Sequence, residues 1–308
     1  MKAVITGATG FVGKWLVNEL LNQQDEVTII VRNEKQLPTE WKNKVKVVLA
    51  SLEQFSELDV SYFDSNEMDI FFHLAWAGTS GMQRADTDLQ LSNVKAACES
   101  VHLATRLHCK RFVNAGSIME YEAIKYISED GSKPGGGNIY STAKMTADFM
   151  AKIVATQEGI HYINVIISNI YGIGENSPRF LNSTLKKMIL DEKIPLTHGN
   201  QLYDFIYISD AVKAIIHAGK KGRENASYYI GNESQKPLKE FINEMKKILG
   251  SNSELAFGEI PFCGAMLSYR EFDTRALANL GFLPEISFGK GILLTRDWMV
   301  KNTNELKF

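Results

Sequence analysis

Residues 2–13, Lys-Ala-Val-Ile-Thr-Gly-Ala-Thr-Gly-Phe-Val-Gly, constrain the fold more than any other stretch: an apolar run stops at three glycines spaced three apart. Val4 and Ile5 are β-branched and suit a buried strand. Gly7, Gly10 and Gly13 remove side chains where the backbone must turn and approach something closely. The spacing predicts a strand, a tight turn and a helix opening near Gly10. The first N–H groups of such a helix lack intrahelical acceptors and sit at the positive end of its dipole, which suits a pyrophosphate. G-x-x-G-x-x-G differs from the commoner G-x-G-x-x-G fingerprint, so the turn points to a nucleotide without choosing among nucleotides.

Phe11, Trp15, Leu16, Leu20 and Leu21 continue the helical spacing up to the polar break at 22–25. Strands are predicted over 26–31, 45–48, 69–73, 111–115 and 162–168, and long helices over 87–107 and 139–158. Between 115 and 139 the chain reads as a loop rich in Gly and Pro, closing on Ser132-Lys-Pro-Gly-Gly-Gly137. Six strands alternating with helices imply a parallel sheet, because parallel neighbours need crossovers of this length. The expected class is α/β, a Rossmann-type doubly wound parallel sheet with a smaller C-terminal substrate-binding region. Beyond Tyr171-Gly172 the pattern loosens, with helices over 178–191, 209–218, 238–249 and 288–301 and strands over 204–207 and 227–230. A dinucleotide-binding domain is expected over 1–171, with 201–219 returning to it, and the substrate-binding region over 172–200 and 220–308. Ligands of open α/β sheets bind beyond the carboxyl ends of the strands, so that region is expected to cap the crevice.

A net charge of -2 with 23% charged residues gives no electrostatic case for nucleic acid or an anionic membrane. No apolar run approaches the roughly 18 to 20 residues of a membrane span, and the chain enters a strand without an apolar leader, so a cytoplasmic protein is expected. Cys98, Cys109 and Cys263 lack C-x-x-C spacing and read as core thiols, and the scattered histidines suggest no metal.

Tyr140-Ser-Thr-Ala-Lys144 puts a phenol and an ammonium four residues apart on a predicted helix, where they share a face. Tyrosine ionises near pH 10, and each unit of lowering takes about 1.4 kcal/mol, within reach of a neighbouring cation in a partly dry cleft. Ser117 ends the strand Phe112-Val-Asn-Ala-Gly-Ser, at the carboxyl edge where the nucleotide should lie. Its hydroxyl could orient a carbonyl oxygen toward Tyr140. Each feature is weak alone; their order along the chain makes the catalytic reading the better one.

Thr6-Gly-Ala-Thr-Gly-Phe-Val-Gly13, His73-Leu-Ala75, Asn93, Ser117, Tyr140-x-x-x-Lys144, Asn169-Ile-Tyr-Gly172, Asp204-Phe-Ile-Tyr207 and Asp210 fall in one order along nearly the whole chain. In this the chain resembles the extended short-chain dehydrogenase/reductase family, the branch of nucleotide-sugar epimerases, dehydratases and ketoreductases. The resemblance implies that Tyr140 gives or takes the proton, that Lys144 binds the nicotinamide ribose and lowers the phenol's pKa, and that Ser117 holds the reacting oxygen. It implies cofactor contacts from Gly7, Thr9, Gly10, Phe11, Val12, Gly13, Arg32, Asn33, Ser51, Leu52, Leu74, Ala75, Trp76, Asn93, Ala115, Tyr140, Lys144, Ser168 and Ile170. Substrate contacts are expected from Ser117, Ile118, Met119, Asn169, Arg179, Tyr203 and Arg270. His73 reads as support for the strand end, and Trp15 and Trp76 as packing residues, Trp76 also at the cofactor edge.

Two departures narrow the reaction. In the family's 4,6-dehydratases Asp-Glu follows the catalytic hydroxyl, whereas Ile118-Met119 follows Ser117 and Glu120 sits one residue late, which argues against dehydration. NAD-using epimerases carry an acid at the end of the second strand, whereas this chain has Val31-Arg32-Asn33, and an arginine suits a 2'-phosphate. NADP(H) is therefore the preferred cofactor, with NAD(H) possible. The expected activity is reduction of the 4-keto group of a nucleoside-diphosphate 4-keto-6-deoxyhexose; a 4-epimerase with bound NAD is the alternative, and a non-catalytic NADP(H) sensor a third. Tyr203 stands where the family commonly has a diphosphate-binding arginine, and Arg179 or Arg270 is expected to replace it. By analogy with the family, a homodimer is expected through the helices at 87–107 and 139–158.

Overall fold

The computed structural model describes residues 1–63, 67–128 and 134–302; Ser132 and Lys133 of the Gly/Pro stretch lie outside the described residues. The chain forms two compact units, Met1–Ile167 with Val212–Tyr229, and Ser168–Ala211 with the chain from Ile230 onward. The first passage contains β1 (Lys2–Thr6), α1 (Phe11–Asn22), β2 (Glu26–Val31), β3 (Val45–Leu49), β4 (Ile70–His73), α2 (Thr87–Arg106), β5 (Arg111–Ser117), α3 (Met119–Ser128), α4 (Asn138–Glu158) and β6 (His161–Ile167). Then come β7 (Asn169–Tyr171), α5 (Phe180–Ile189), β8 (Ile194–Leu196), β9 (Leu202–Tyr203), β10 (Phe205–Tyr207), α6 (Ile208–Lys221) and β11 (Ala226–Ile230). The last stretch adds β12 (Lys236–Pro237), α7 (Leu238–Leu249), β13 (Leu255–Phe257), α8 (Ala276–Asn279) and α9 (Phe288–Lys301).

The seven-stranded sheet of the first unit runs β11-β6-β5-β4-β1-β2-β3. All pairs from β6 across to β3 are parallel. Strand order reverses between β1 and β4, the place where an open α/β sheet opens its crevice. Phe71, Phe112 and Tyr162 are in register on β4, β5 and β6 and stack at 5.4 and 5.9 Å. Ala147, Ala151 and Ala155, four apart on α4, pack into the same core with Val101 and Ala104 of α2. Each fully buried aromatic contributes roughly 1.5–3 kcal/mol. Two residues further along the strands, hence on the same face, Thr6, His73, Asn114 and Asn164 form a buried polar row in register.

One expectation is corrected here. Met119–Ser128 is helical where a loop is predicted. Met119, Glu120, Glu122, Ala123 and Lys125 are good helix formers, and Glu120 and Glu122 lie in the first turn, so the Gly/Pro signal belongs only to the residues that follow. The first unit's second passage is Val212–Tyr229. β11 extends the sheet beside β6, and the later part of α6 goes with it.

In the second unit, β7 and β10 pair in parallel, and Tyr171, Phe205, Phe241 and Phe288 cluster with centroids 4.9 to 6.2 Å apart. The Tyr171 hydroxyl donates to the Phe288 carbonyl at 3.1 Å, and a Cβ on Gly291 would collide with that hydroxyl. Asp204 and Asp210 are buried; Oδ2 of the first accepts from the N–H groups of Asn232 and Glu233, and Oδ2 of the second from those of Glu285 and Ile286. No helix among the described residues is long and apolar enough to cross a membrane.

Candidate active site

β1 ends in the glycine turn. Gly7 takes φ +74°, and a Cβ there would lie 2.7 Å from both Leu74 C and Ala75 N. A Cβ on Gly13 would collide with the Gly7 carbonyl oxygen, so α1 lies hard against the turn. Gly10 is the N-cap of α1 with no side-chain cap, and Thr9, Phe11 and Val12 are half-buried around it. The uncapped N–H groups and missing side chains fit a dinucleotide's phosphates.

Below the turn, the Ala75 N–H donates to Thr6 Oγ1 at 3.2 Å, and His73 Nδ1 lies 3.0 Å from both Thr6 Oγ1 and Ser100 Oγ. Ser100 spends its proton on the Ala96 carbonyl at 2.7 Å, so the Nδ1 of His73 is the donor between them. Burial first, and then the Lys144 charge, push the His73 pKa down to about 3, so the ring is neutral. His73 supports the strand end, as expected.

Arg32 and Asn33 are exposed at the end of β2. Ser51 opens a capping box with Gln54, and Leu52 packs on the core. The Glu53 carboxyl is held below its usual range by Ser51, by its own backbone and also by the Arg32 charge.

α4 carries Tyr140 and Lys144, the pair expected to be reactive. Lys144 is buried, donates to the Ala115 carbonyl at 2.9 Å, and lies 3.7 Å from the centroid of the Trp76 ring. Trp76 meets Tyr140 edge-on at 6.1 Å and donates Nε1 to Gln90 at 2.8 Å. One indole thus bridges the phenol and the ammonium. Asn93 spends its amide on both backbone groups of Ala77.

At the end of β5, Ser117 Oγ accepts from the Met119 N–H at 3.2 Å, and Ile118 is buried beside it. Glu120 turns back under the strand: Oε1 accepts from the Ser117 N–H at 2.7 Å and Oε2 from Asn164 at 3.4 Å. Gly116 makes this possible, since a Cβ there would lie 2.6 Å from both Glu120 Oε1 and Asn164 Oδ1. Asn114 donates to Asn164 at 3.0 Å, and the Tyr162 hydroxyl to Asp148 at 2.9 Å. Burial, and then Asp148, raise the Glu120 carboxyl, while the Ser117 N–H and the Lys144 charge oppose the rise. Burial lowers the Lys144 ammonium, and Glu120 opposes it.

In the second unit, Asn169 donates to the Asp204 carbonyl at 3.1 Å, Ile170 is buried, and Ser168 donates its N–H to the Ile230 carbonyl. Tyr203 stacks on Phe205 at 5.6 Å. Arg179 is exposed and 3.7 Å from Glu175, and Arg270 is exposed, its N–H donating to Ser268 Oγ. The expected cofactor residues are thus divided: Ser168 and Ile170 belong to the second unit and the others to the first.

Sequence reasoning left out Glu120 as a neighbour of Ser117, Arg84 over the Tyr140 ring, and Gln90 behind Trp76. For Glu120 a signal existed: an acid three residues after a strand-terminal serine, at a helix start, can return to the serine's N–H. Arg84 and Gln90 are brought in by a loop fold that no local pattern encodes.

A family model described as the NAD dependent epimerase/dehydratase family matches residues 3–231. Among curated proteins, the CDP-abequose synthase of Salmonella muenchen is 26% identical over 296 residues, covering 94% of this chain and 95% of that one. Among solved structures, a UDP-glucose 4-epimerase of Thermotoga maritima with UDP-glucose superposes with a TM-score of 0.78 at 19% identity, covering 98% of this chain and 100% of that one. The Bordetella bronchiseptica enzyme WbmF, in complex with NAD+ and UDP, gives 0.75 at 20% identity, covering 99% of this chain and 94% of that one. Because the family match runs from β1 through the edge strand β11, taking in the glycine turn, the strand ending at Ser117 and the Tyr140 helix, the chain belongs to the NAD dependent epimerase/dehydratase family, a family of oxidoreductase-type enzymes.

Proposed function

We propose that this enzyme reduces the 4-keto group of a nucleoside-diphosphate 4-keto-6-deoxyhexose with NADPH. The turn of Gly7, Gly10 and Gly13 holds the pyrophosphate, Arg32 with Asn33 receives the 2'-phosphate, and Ser51 and Leu52 flank the adenine end. When bound, the dinucleotide supplies the hydride taken up by the sugar's carbonyl carbon. Tyr140 gives its phenolic proton to the carbonyl oxygen, Ser117 hydrogen-bonds that oxygen, and Lys144 binds the nicotinamide ribose and favours the phenolate that forms. Ile118 and Met119 line the sugar, while Asn169, Tyr203 and Arg179 or Arg270 receive the nucleoside diphosphate.

The observation that carries the reading is the end of β5. Glu120, the carboxylate nearest Ser117 in sequence, is buried and committed to the Ser117 N–H and Asn164, and Glu122, also buried, accepts from Ser141, which leaves the Tyr140 phenol as the acid-base group of this reading. A dehydratase needs a free acid and base there. The likeness to CDP-abequose synthase supports the same direction. Incubation with 4-keto-6-deoxy nucleotide sugars and NADPH tests it: loss of absorbance at the reduced-nicotinamide band is expected, and no loss with any of them removes the proposal.

One observation favours a 4-epimerase with bound NAD instead. Glu53 acts electrostatically on Arg32, and a carboxylate there opposes a 2'-phosphate. That enzyme purifies with cofactor bound and turns over without added NADPH. A homodimer belongs to the proposal as well, supported by Phe149, Met150 and Ile153, exposed on α4; a monomer mass by light scattering removes that part.

A further inference from the structure

Arg84 lies in the short 3-10 turn Gly81–Ala85 that precedes α2. The stretch carrying it is tied down. Gln90, fully buried, donates to the carbonyls of Gly78 and Gln83 at 3.0 Å each and accepts from the Trp76 indole. Gly78 takes φ +70°, and a Cβ there would press on Leu89 and Gln83, so the loop closes around these contacts. Arg84 is therefore placed by a braced loop.

Its guanidinium lies over the Tyr140 ring, 4.5 Å from the centroid, and its Nε is buried with no acceptor among the described residues. Other arginines of this unit are used differently. Arg106 donates to the carbonyls of Leu58 and Phe55, and Arg111 to those of Gly219 and Gly222. Those two satisfy the protein. Arg84 instead has an unspent buried donor at the phenol, in the geometry of a planar fork that pairs best with two oxygens of one ligand.

We propose that Arg84 is a substrate-binding residue, its guanidinium donating to acceptor oxygens of the sugar held at Tyr140 and so fixing which carbon faces the phenol. The inference rests on the reading of Tyr140 as the acid of a nucleotide-sugar enzyme. The ligand is the sugar, with hydroxyl, carbonyl or carboxylate oxygens, and not the nucleoside diphosphate. The ring beneath it helps desolvate the guanidinium, which strengthens its hydrogen bonds to a ligand.

The test is calorimetric titration of the full chain and of Arg84→Met and Arg84→Lys with UDP-glucose and UDP, and with CDP-glucose and CDP, using the pair that the unaltered protein binds. Arg84→Met keeps an apolar stem on the Tyr140 ring. It is expected to weaken the nucleotide sugar roughly tenfold or more and to leave the nucleoside diphosphate within about twofold, with partial recovery in Arg84→Lys. Equal weakening of both ligands places Arg84 on the diphosphate, and no weakening makes it a packing residue; either overturns the inference while the nucleotide-sugar reading stands. If the unaltered protein binds neither pair, nor the corresponding dTDP and GDP pairs, but binds dinucleotide, that reading fails and takes the inference with it. Should Arg84→Met lose dinucleotide binding, and hence the fold, Arg84→Lys alone decides, since it keeps charge and stem and loses only the fork.

Discussion

Lys144, in the first unit, is buried, hydrogen-bonded to the Ala115 carbonyl and stacked on Trp76. Arg179, in the second, leaves its side chain 50% exposed and meets Glu175 at 3.7 Å. A buried ammonium persists only where partners replace water, so its position is committed. Only the arginine end of that pair faces water, Glu175 being buried, so the guanidinium can move at little cost. The contrast teaches where change is tolerated: the buried, partnered ammonium of the first unit is fixed in place, and the exposed arginines of the second can adapt to a ligand.

The sharpest way to break that contrast is Tyr140→Phe. It keeps the ring against Trp76 and Arg84 and removes the proton. Turnover is expected to fall by about 10²–10⁴ while dinucleotide binding persists, measured by steady-state rates and calorimetry. A fall of the same size in Arg179→Ala would erase the distinction between the units.

Glu120→Ala comes next. It leaves the Ser117 N–H buried without its acceptor, at an expected cost of about 1–3 kcal/mol in urea unfolding. Glu120→Gln keeps an acceptor for the N–H and isolates the charge. Glu120 opposes the burial that lowers Lys144, and Asp148, Tyr162, Asn114 and Asn164 pack around the same carboxylate. Without the Glu120 charge the ammonium is lost at lower pH, so the alkaline limb of the rate profile moves down. An unchanged limb would show that Glu120 only holds the strand end.

What the sequence disclosed follows the same division. Gly7 and Gly13 are legible because backbone collisions leave no other residue possible, and Tyr140 with Lys144 because helical spacing alone puts them together. Trp76 as a bridge, and Arg84 over the phenol, depend on a loop braced by Gln90 from the next helix, which no short pattern reveals. The helix at Met119–Ser128 was obscured because Gly and Pro further along weighed on the whole stretch. In the second unit, Arg179 and Arg270 could be named only as candidates, since an exposed arginine carries no pattern of its own.

His73 offers a smaller effect. Its pKa is about 3 in the folded chain against 6.5 as the ordinary value, so below pH 6.5 the unfolded chain takes up a proton that the folded chain refuses. The stability held above pH 6.5 is lost as pH falls toward 3, by about 1.4 kcal/mol per unit from this group. His73→Gln is expected to be less stable at pH 7, with the Thr6 and Ser100 contacts disturbed, and to close that gap by pH 4.5 in urea unfolding. A gap independent of pH would mean that His73 titrates normally.

The smallest effects are expected from Arg179→Ala and Arg270→Ala. Both side chains are exposed, so Arg270→Ala should change stability by less than about 0.5 kcal/mol and Arg179→Ala by about 1 kcal/mol, because the buried Glu175 loses its cation. If one of them meets the diphosphate, KM for the nucleotide sugar rises by about tenfold while kcat is unchanged, because a phosphate contact made equally in ground and transition states is uniform binding. If neither does, both parameters stay within twofold, and the diphosphate is held by Asn169, Tyr203 and backbone alone. A change in kcat without a change in KM is the outcome that contradicts the division between units, since it would give an adaptable surface cation a part in the proton transfer proposed for Tyr140.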